Sequence, residues 1–494
     1  MAYLHGAYGA RTTSQVKSTA QVDENVVYFG TAPINLIRGY DDAGLVNIPV
    51  RLRNFGEAQT KVGYSDNWNP DTGFTLGEVI DYHFNNTVGN AGPIYIINVL
   101  DPDAHRKSTQ TKVSLSFVNG RASFESDTVI LDTLAIADKV EGVDYALEYD
   151  FARGAVMIVS LIETDQLSGE VEVSFYEVDP SKIQETDITG SKTQSGAYSG
   201  IAALQLLYIR ENAIANILAA PGWSHIPAVY HALCIAAQKI NGHWDAFVNA
   251  DIPLEADGSE IDTISKAIAW KAQKGYTSEI SKVFWPMAQN AEKVYHLSTV
   301  ATAAMMRTDA EHDCVPFESP SNKDIMATAQ YFGEKAANQG FDQMEGNDLN
   351  ENGITTLIYW EGSYKLWGPH TAAFQYNNSM DAAGIFDVNM RMLMHCTNGF
   401  QKRNGTQIDK PMTPNDRESI LISEQGELDA LKGVGALIGE PEILFLENEN
   451  TRSDMVNGDF VFHIMATPTP PMKSATAKIT YTDKGFSAFF GEEA

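Results

Sequence analysis

Residues 26–33 read VVYFGTAP, and this stretch opens the pattern that sets the fold class. Its unbroken run of β-branched and aromatic residues predicts a buried strand, which Gly30 and Pro33 end. Residues 75–84, TLGEVIDYHF, have apolar residues at helical spacing, and residues 94–100, IYIINVL, predict a second buried strand. A strand, a helix and a strand in this order indicate a βαβ unit within a mixed α/β sheet.

The pattern changes after this unit. Between the Asp-Pro pairs that begin at residues 101 and 179, apolar and polar residues alternate with period two, as in GEVEVSFYEV. Asn119-Gly120 stands where a hairpin turn belongs. We therefore predict an all-β domain inserted into the α/β chain over residues 102–182.

Helical spacing returns after residue 189 and alternates with short apolar runs, which predicts helices flanking a sheet. Residues 199–223 predict one or two helices that end at Pro221-Gly222. Residues 442–448 and 459–467 predict an antiparallel pair of strands, joined by a loop that contains Asn457-Gly458. The fold class predicted is a mixed α+β core, a sheet with flanking helices, with an inserted all-β domain and extended arms at both ends. The predicted segments are an N-terminal arm (1–25), the first part of the core (26–101), the inserted β domain (102–182), the second part of the core (183–475) and a C-terminal strand arm (476–494).

The N-terminal 25 residues have single apolar residues among small and polar ones. No apolar cluster there could anchor a core, so the segment is predicted to be extended. Thr12, Ser14 and Val16 alternate as one face of a strand does.

The C-terminal end has a proline-rich hinge followed by a short alternating segment, AKITYT. The hinge residues are Pro468, Pro470 and Pro471. In a strand, Ile479 and Tyr481 lie on one face and Thr480 and Thr482 on the other. A lone strand exposes unpaired N–H and C=O groups, so this one pairs either with its own domain or with another molecule.

Composition excludes some classes of partner. The chain has 494 residues, of which 64 are acidic and 35 basic, giving a formal net charge of -29. A field of that sign repels phosphate, so nucleic acid is not predicted as a main partner. The three cysteines form no CxxC motif, which suits a reducing compartment. No signal-peptide pattern or long apolar run is present, so we predict a soluble protein without membrane insertion.

No catalytic or cofactor site is predicted, because the sequence lacks the phosphate-loop, dinucleotide, zincin and nucleophile-elbow motifs. His231 and Cys234 share a helix face, but zinc usually needs four ligands, so packed side chains explain them better. The pairs His312/Cys314 and His395/Cys396 meet the same objection. The cluster Glu345, Asp348 and Glu351 lacks the spacing of a calcium loop, and we interpret it as a solvated acidic loop. No metal site is predicted.

Several stretches, taken in order, resemble the contractile tail sheath family of contractile-tailed phages and phage-tail-like bacteriocins. The stretches are MAYLHGAYGARTTSQ (1–15), VVYFGTAP (26–33), GPIYIINVL (92–100), AAPGWSHIPAVYHAL (219–233), NGITTLIYWEGSYKLWGPHT (352–371), LDALKGVGALIG (428–439), NGDFVFHIMATPTPP (457–471) and AKITYTDKGF (477–486). The family tends to have an Asn-Gly-Ile strand and then a Trp-Gly before a Thr, here Trp367, Gly368 and Thr371. The family often has an Arg-Arg pair in the long C-terminal helix, where the stretch VNMRMLMHC (388–396) has only Arg391.

The resemblance implies a structural subunit without enzymatic activity or cofactor. Such a subunit polymerises as stacked hexameric rings in a helix around an inner tube, and contracts to drive the tube through a target cell envelope. Arms from two neighbours add strands to a small sheet in a third subunit. The acceptor positions implied here are Ile443, Phe445, Phe460 and Phe462.

The implied partners are further copies of the chain, the inner tube protein, and baseplate and tail terminator proteins. The implied location is a virion tail or tail-like particle assembled in the cytoplasm of a bacterial host. Three alternatives stay open at this point. Both chain ends could pair within their own subunit, the chain could be another self-assembling virion component, or it could be an α/β enzyme with an unrecognised site.

Overall fold

The computed structural model describes residues 24–162 and 166–490. The strands, in chain order, are β1 (Val26–Gly30), β2 (Pro49–Leu52), β3 (Ile94–Asn98), β4 (Thr111–Phe117), β5 (Arg121–Glu125), β6 (Ala135–Ile136), β7 (Tyr145–Asp150), β8 (Ala155–Ser160), β9 (Gly169–Phe175), β10 (Ile217–Ala219), β11 (Phe247–Asp251), β12 (Glu255–Ala256), β13 (Ser259–Glu260), β14 (Ser281–Phe284), β15 (Met287–Asn290), β16 (Lys293–Tyr295), β17 (Ala329–Tyr331), β18 (Ile354–Trp360), β19 (Ser363–Trp367), β20 (Leu437–Leu444) and β21 (His463–Pro468). The α-helices are α1 (Tyr40–Ala43), α2 (Phe55–Lys61), α3 (Leu76–Phe84), α4 (Glu185–Thr189), α5 (Leu206–Glu211), α6 (Pro227–Ala236), α7 (Ile264–Lys274), α8 (Leu297–Ala310), α9 (Gln343–Glu351), α10 (Asp387–Asn404), α11 (Pro414–Gly433) and α12 (Arg452–Asn457).

The largest sheet has eight strands in the order β19-β18-β14-β11-β10-β1-β3-β2. The inner strands from β18 to β3 are parallel, and the edge strands β19 and β2 are antiparallel to their neighbours. Parallel strands covered on both faces consist of continuous apolar runs, and β1 and β3 are buried along their whole length. The predicted strand, helix and strand are therefore present as β1, α3 and β3, with the two strands paired in parallel.

Helix α8 packs against this sheet and is buried on nearly all sides. Its residues are mostly small or carry a hydroxyl, so it can approach the sheet closely. Two of its buried hydroxyls are satisfied within the helix, since Thr302 Oγ1 donates to the carbonyl of Ser298 at 2.7 Å and Thr308 Oγ1 to that of Ala304 at 2.9 Å. The helix begins against β11, where the Ser298 N–H donates to Asp251 at 2.9 Å.

Two smaller sheets, each of three strands, lie between residues 111 and 175, in the orders β4-β9-β6 and β5-β8-β7. All their strand pairs are antiparallel. Leu115, Val156 and Phe175 belong to a hydrophobic cluster that is separate from the main core. These sheets lie within the segment 102–182, which remains a predicted inserted domain.

The fold as a whole is mixed α+β, with several sheets and flanking helices. Among the helices that the structure describes, none combines the length and apolar composition that a bilayer crossing requires.

Two local predictions are wrong. Residues 199–223 do not remain helical up to Pro221, because Ile217–Ala219 form β10 between β1 and β11. Pairing on both sides outweighs the helical propensity of this alanine-rich stretch. The acidic segment interpreted as a loop forms α9 instead, because Asp342 caps the helix in a reciprocal capping box with Glu345.

Candidate assembly interface

The predicted acceptor strands form a separate two-stranded sheet, β20 with β21, in which Ile443 lies opposite Ile464. The strands span 437–444 and 463–468, so the predicted bounds of 442–448 and 459–467 are wrong. The connection between them contains α12, which starts with a capping box between Thr451 and Asp454. The Asn-Gly pair ends this helix rather than making a hairpin turn. Gly458 has the left-handed conformation (φ 88°) that is common after a helix C-terminus.

The four predicted acceptor residues differ in position. Ile443 is in β20 and buried, whereas Phe445 follows that strand, and Phe460 and Phe462 precede β21. The ring centroids of Phe445 and Phe462 are 5.4 Å apart, and those of Phe445 and Phe460 are 6.5 Å apart. The three aromatic residues therefore form a cluster at one end of the sheet, beyond its strand pairing.

Helices α10 and α11 support this sheet from one side. A small hydrophobic cluster contains Met392 of α10, Leu428 of α11, and Leu437 and Ile443 of β20. Ile464 of β21 packs against the same cluster. Because one face is anchored in this way, the sheet presents its opposite face and its two edges to the surroundings.

Both outer edges of this sheet lack a further strand within the described part of the chain. A groove of about 450 Å³ lies beside β21. Leu393 and Cys396 of α10 line one side of the groove, and Ile464 and Ala466 line the other. Its lining is mixed, apolar in these four residues and polar at Thr397, Glu440 and Thr467.

The C-terminal segment leaves this sheet through the proline-rich hinge. Pro468 is the last residue of β21, and Pro470 and Pro471 follow it. Residues 471–475 then line a cavity of about 600 Å³ against the core, with the Lys473 ammonium 6.0 Å from the ring centroid of Phe374.

The predicted terminal strand, residues 477–482, has no regular secondary structure and no strand partner within the described residues. Ile479 is 94% exposed and Tyr481 is 80% exposed. Thr480 and Thr482 are exposed as well. Exposure of large apolar side chains close together in sequence is typical of an interaction surface.

The predicted N-terminal strand residues Thr12, Ser14 and Val16 lie outside the described residues. The first described residue, Glu24, is buried and accepts a hydrogen bond of 2.6 Å from Arg391 of α10. Arg391 also pairs with the buried Asp309 of α8. Burial, together with the charge of Asp309, raises the pKa of Glu24 well above its usual value. The start of the described chain is thus held by a buried cluster of charged side chains.

No protein-family model matches the chain. Two curated relatives are phage proteins: the tail sheath protein of Burkholderia phage BcepMu and the major tail sheath protein of Serratia phage KSP20. The first is 24% identical over 511 residues, which covers 98% of this chain and 97% of the relative. The second is 24% identical over 390 residues, which covers 74% of this chain and 92% of the relative. These matches confirm the resemblance of the chain to the contractile tail sheath family.

Solved structures agree with this sheath fold. A chain in the cryo-EM structure of the anti-feeding prophage baseplate has a TM-score of 0.54 at 14% identity, with 98% of this chain and 100% of that chain covered. The sheath complex of an extracellular contractile injection system, PVC, in its contracted state has a TM-score of 0.55 at 12% identity. There the alignment covers 98% of this chain and 99% of the other.

The chain is a structural protein, since its curated relatives are tail sheath proteins, and the alternative of an α/β enzyme is wrong. Its cysteines are not disulfide-bonded. Burial raises the pKa values of Cys234 and Cys396 to about 11 and lowers that of His395 to about 4. These thiols therefore stay protonated at neutral pH, as packed side chains do.

Among the described residues, the side chains of Glu311, His312 and Glu318 lie close enough together to hold a metal ion. Glu318 already accepts a hydrogen bond from the ring of His312 at 2.5 Å and pairs with Lys323. The group is therefore explained as an ion-pair network on the protein surface.

Two structural features of this chain, the buried partners of Arg391 and the groove beside β21, were not predicted from the sequence. Arg391 stood out only as a departure from the family pattern, although a lone arginine among methionines in a helix signals a buried partner. The groove residues Leu393 and Cys396 gave no sequence signal, because only the packing of α10 beside β21 brings them to the sheet.

Proposed function

We propose that this chain is the repeating subunit of a contractile sheath, in which copies form hexameric rings stacked in a helix around an inner tube. One observation carries the proposal. Within residues 24–162 and 166–490, the sheet of β20 and β21 has two outer edges without a strand, while the exposed residues 477–482 have strand alternation in sequence and no strand partner. Strand addition between copies satisfies both, since main-chain hydrogen bonds give affinity and alternate side chains give register.

In the proposed assembly, the C-terminal arm of one neighbour and the N-terminal arm of another each add a strand to this sheet. Ile479 and Tyr481 face the apolar side of the sheet, and Thr480 and Thr482 face outward. The hinge prolines stiffen the exit of the C-terminal arm and contribute no N–H groups that compete for pairing. Thr12, Ser14 and Val16 are the proposed pairing residues of the N-terminal arm.

The proposed sheath is assembled in an extended, metastable form and shortens on a signal from the baseplate. The work comes from repacking of the core domains into a state with more contact, and it requires no nucleotide. Two packings of one subunit differ by about a few kcal/mol, and the difference sums over the many subunits of a sheath. The shared strands hold the lattice together during the change, while the hinges move.

The proposed partners are further copies of the chain, the inner tube protein, and baseplate and tail terminator proteins. The proposed location is the tail of a virion or a tail-like particle that is assembled in the cytoplasm of a bacterial host. The two small β-sheets of the segment 102–182 are proposed to face outward, where an insertion does not disturb the lattice. The net charge of -29 keeps free subunits apart before assembly begins.

Deletion of residues 477–494 tests the proposal. We expect a folded monomer, because the exposed side chains of 477–482 contribute little to the core, and we expect electron microscopy to show no tubes or rings. A matched deletion of residues 491–494 keeps the strand and should assemble as the full chain does. If the 477–494 deletion still polymerises into tubes, sharing of the C-terminal strand is excluded.

A further inference from the structure

The side chain of Gln425 on α11 reaches the outer edge of β20. Its Nε2 donates to the carbonyl of Pro441 at 2.9 Å, and its Oε1 accepts the N–H of Ile443 at 3.2 Å. In a parallel pair of strands, a residue donates its N–H to the carbonyl of the residue that precedes its opposite partner. Its carbonyl accepts the N–H of the residue that follows that partner. The carboxamide of Gln425 therefore takes the place of one residue of an added strand, opposite Glu442.

The carboxamide of Gln425 is held in this position. Its Nε2 also donates to Asp429, one helical turn further along α11, at 3.0 Å. Both of its donors and its acceptor are therefore used. The edge of β20 is blunted further by a bulge at Gly439, which has a φ of 76°, and by Pro441, which has no N–H.

Among the described residues, no side chain hydrogen-bonds to the outer edge of β21 in this way. Pro441 and Ile443 direct their main-chain groups toward Gln425, so Glu442 and Leu444 direct theirs toward β21. By the same alternation, Ile464 and Ala466 direct their N–H and C=O groups away from β20. This edge lies beside the 450 Å³ groove, and no proline precedes Pro468 within the strand. The two edges of the sheet are therefore not equivalent.

We propose that Gln425 guards the outer edge of β20 in the free subunit. A strand from a second copy of this chain adds first at β21, and a second strand reaches β20 only after it displaces Gln425. This inference rests on the proposed strand addition between subunits. When a strand displaces Gln425, the two hydrogen bonds of its side chain are replaced by main-chain ones. The side chain therefore opposes the addition of a strand to the free subunit, but the assembled lattice loses no hydrogen bond at this edge.

The test compares Gln425→Ala with Gln401→Ala in the full-length chain. Gln401 is a suitable control, because its Nε2 also donates to a main-chain carbonyl, that of His243 at 2.9 Å, away from the sheet. Hydrogen exchange of the Ile443 amide is measured on the free subunit, and light scattering gives the concentration at which polymerisation starts. For Gln425→Ala we expect exchange about tenfold faster, the size of one lost hydrogen bond, and a lower threshold concentration. The control should match the wild type in both.

Asp429→Ala provides a second variant, since it releases Gln425 without removing the carboxamide, and it lies on the exposed side of α11. It should lower the threshold by a smaller factor, and this result decides the matter if Gln425→Ala fails to fold. If the exchange rate of the Ile443 amide and the threshold concentration for polymerisation are unchanged in both variants, the proposed role of Gln425 is wrong, while the proposed strand addition is unaffected. Polymerisation without residues 477–494 overturns the proposed function, and the role of the guard in assembly with it.

Discussion

Arg391 donates a hydrogen bond of 2.6 Å to Glu24, and this contact ties the start of the described chain to the long helix α10. Asp309, near the end of α8, shares the same guanidinium. All three side chains are at most 7% exposed. The first described residues are therefore coupled to α10, which also lines the groove beside β21.

Replacing Arg391 with Met should destabilise the subunit strongly. The change leaves Glu24 and Asp309 buried without a positive partner, which costs about 3–5 kcal/mol in the free energy of unfolding. Urea denaturation at pH 7 measures this loss, and it should shrink at pH 5, because the raised pKa of Glu24 lets its carboxylate take up a proton more easily there. Arg153→Ala is the control, because its partner Asp150 is at the surface, and the expected loss is below about 1 kcal/mol. Equal losses in the two variants would contradict the buried cluster.

The ion pair between His296 and Glu78 should make stability depend on pH. Burial opposes the charged imidazole, but the Glu78 carboxylate, 2.7 Å from Nδ1, outweighs it and raises the pKa of His296 to about 9. Because the folded protein holds this proton more tightly than the unfolded chain, the stabilisation is complete below pH 6.5 and is lost as the pH rises through 9.

The expected loss is roughly 3 kcal/mol in the free energy of unfolding, measured by urea denaturation at pH 6, 7.5 and about 9.5. His296→Gln should abolish this part of the pH dependence. His463→Gln, which removes a more exposed contact with Glu449, should retain it. A His296→Gln curve parallel to the wild type would show that this pair does not control the slope.

Lys282 of β14 and Asp387 of α10 form a wholly buried pair, with Nζ and Oδ2 2.5 Å apart. Lys282→Met leaves the Asp387 carboxylate without its partner, so we expect a loss of about 3–5 kcal/mol in the free energy of unfolding. The double variant Lys282→Met/Asp387→Leu should recover most of that loss, because no buried charge remains. Guanidinium denaturation of the two single variants and the double variant gives the coupling. A double variant that is as unstable as Lys282→Met would refute this explanation.

Charge on the inner face of the C-terminal strand should prevent assembly without affecting the free subunit. Ile479→Asp and Tyr481→Asp alter side chains that are 94% and 80% exposed, so thermal stability should change by less than about 0.5 kcal/mol. Tube formation should be lost, because the carboxylate would be buried in the neighbour. Thr480→Asp places the same charge on the outer face and should still assemble. Electron microscopy checks the three variants, and equal loss in all of them would contradict the assigned faces.

Local sequence patterns predicted the elements whose secondary structure is visible in the spacing of their own residues. β1 and β3 were recognisable because strands buried on both faces are continuously apolar. The alternation of residues 477–482 likewise showed a segment suited to pairing. The stretch Ile217–Ala219 was misjudged, because its strand state depends on partners far away in the chain: Val26 lies opposite Ile217 in the sheet. Nothing in the spacing of nearby residues reports such a pairing.

Composition and short-range periodicity were enough to specify a mixed α+β core and the absence of common catalytic motifs, since these properties follow from side-chain chemistry and strand or helix period alone. The same patterns predict that both chain ends are suited to strand pairing. Long-range packing specified the rest. It joined Glu24 to Arg391 and placed Gln425 on the edge of β20, because such contacts form between elements whose approach depends on the whole core. The difference between the open and the guarded edge of the sheet therefore arises only when the helices are packed against it.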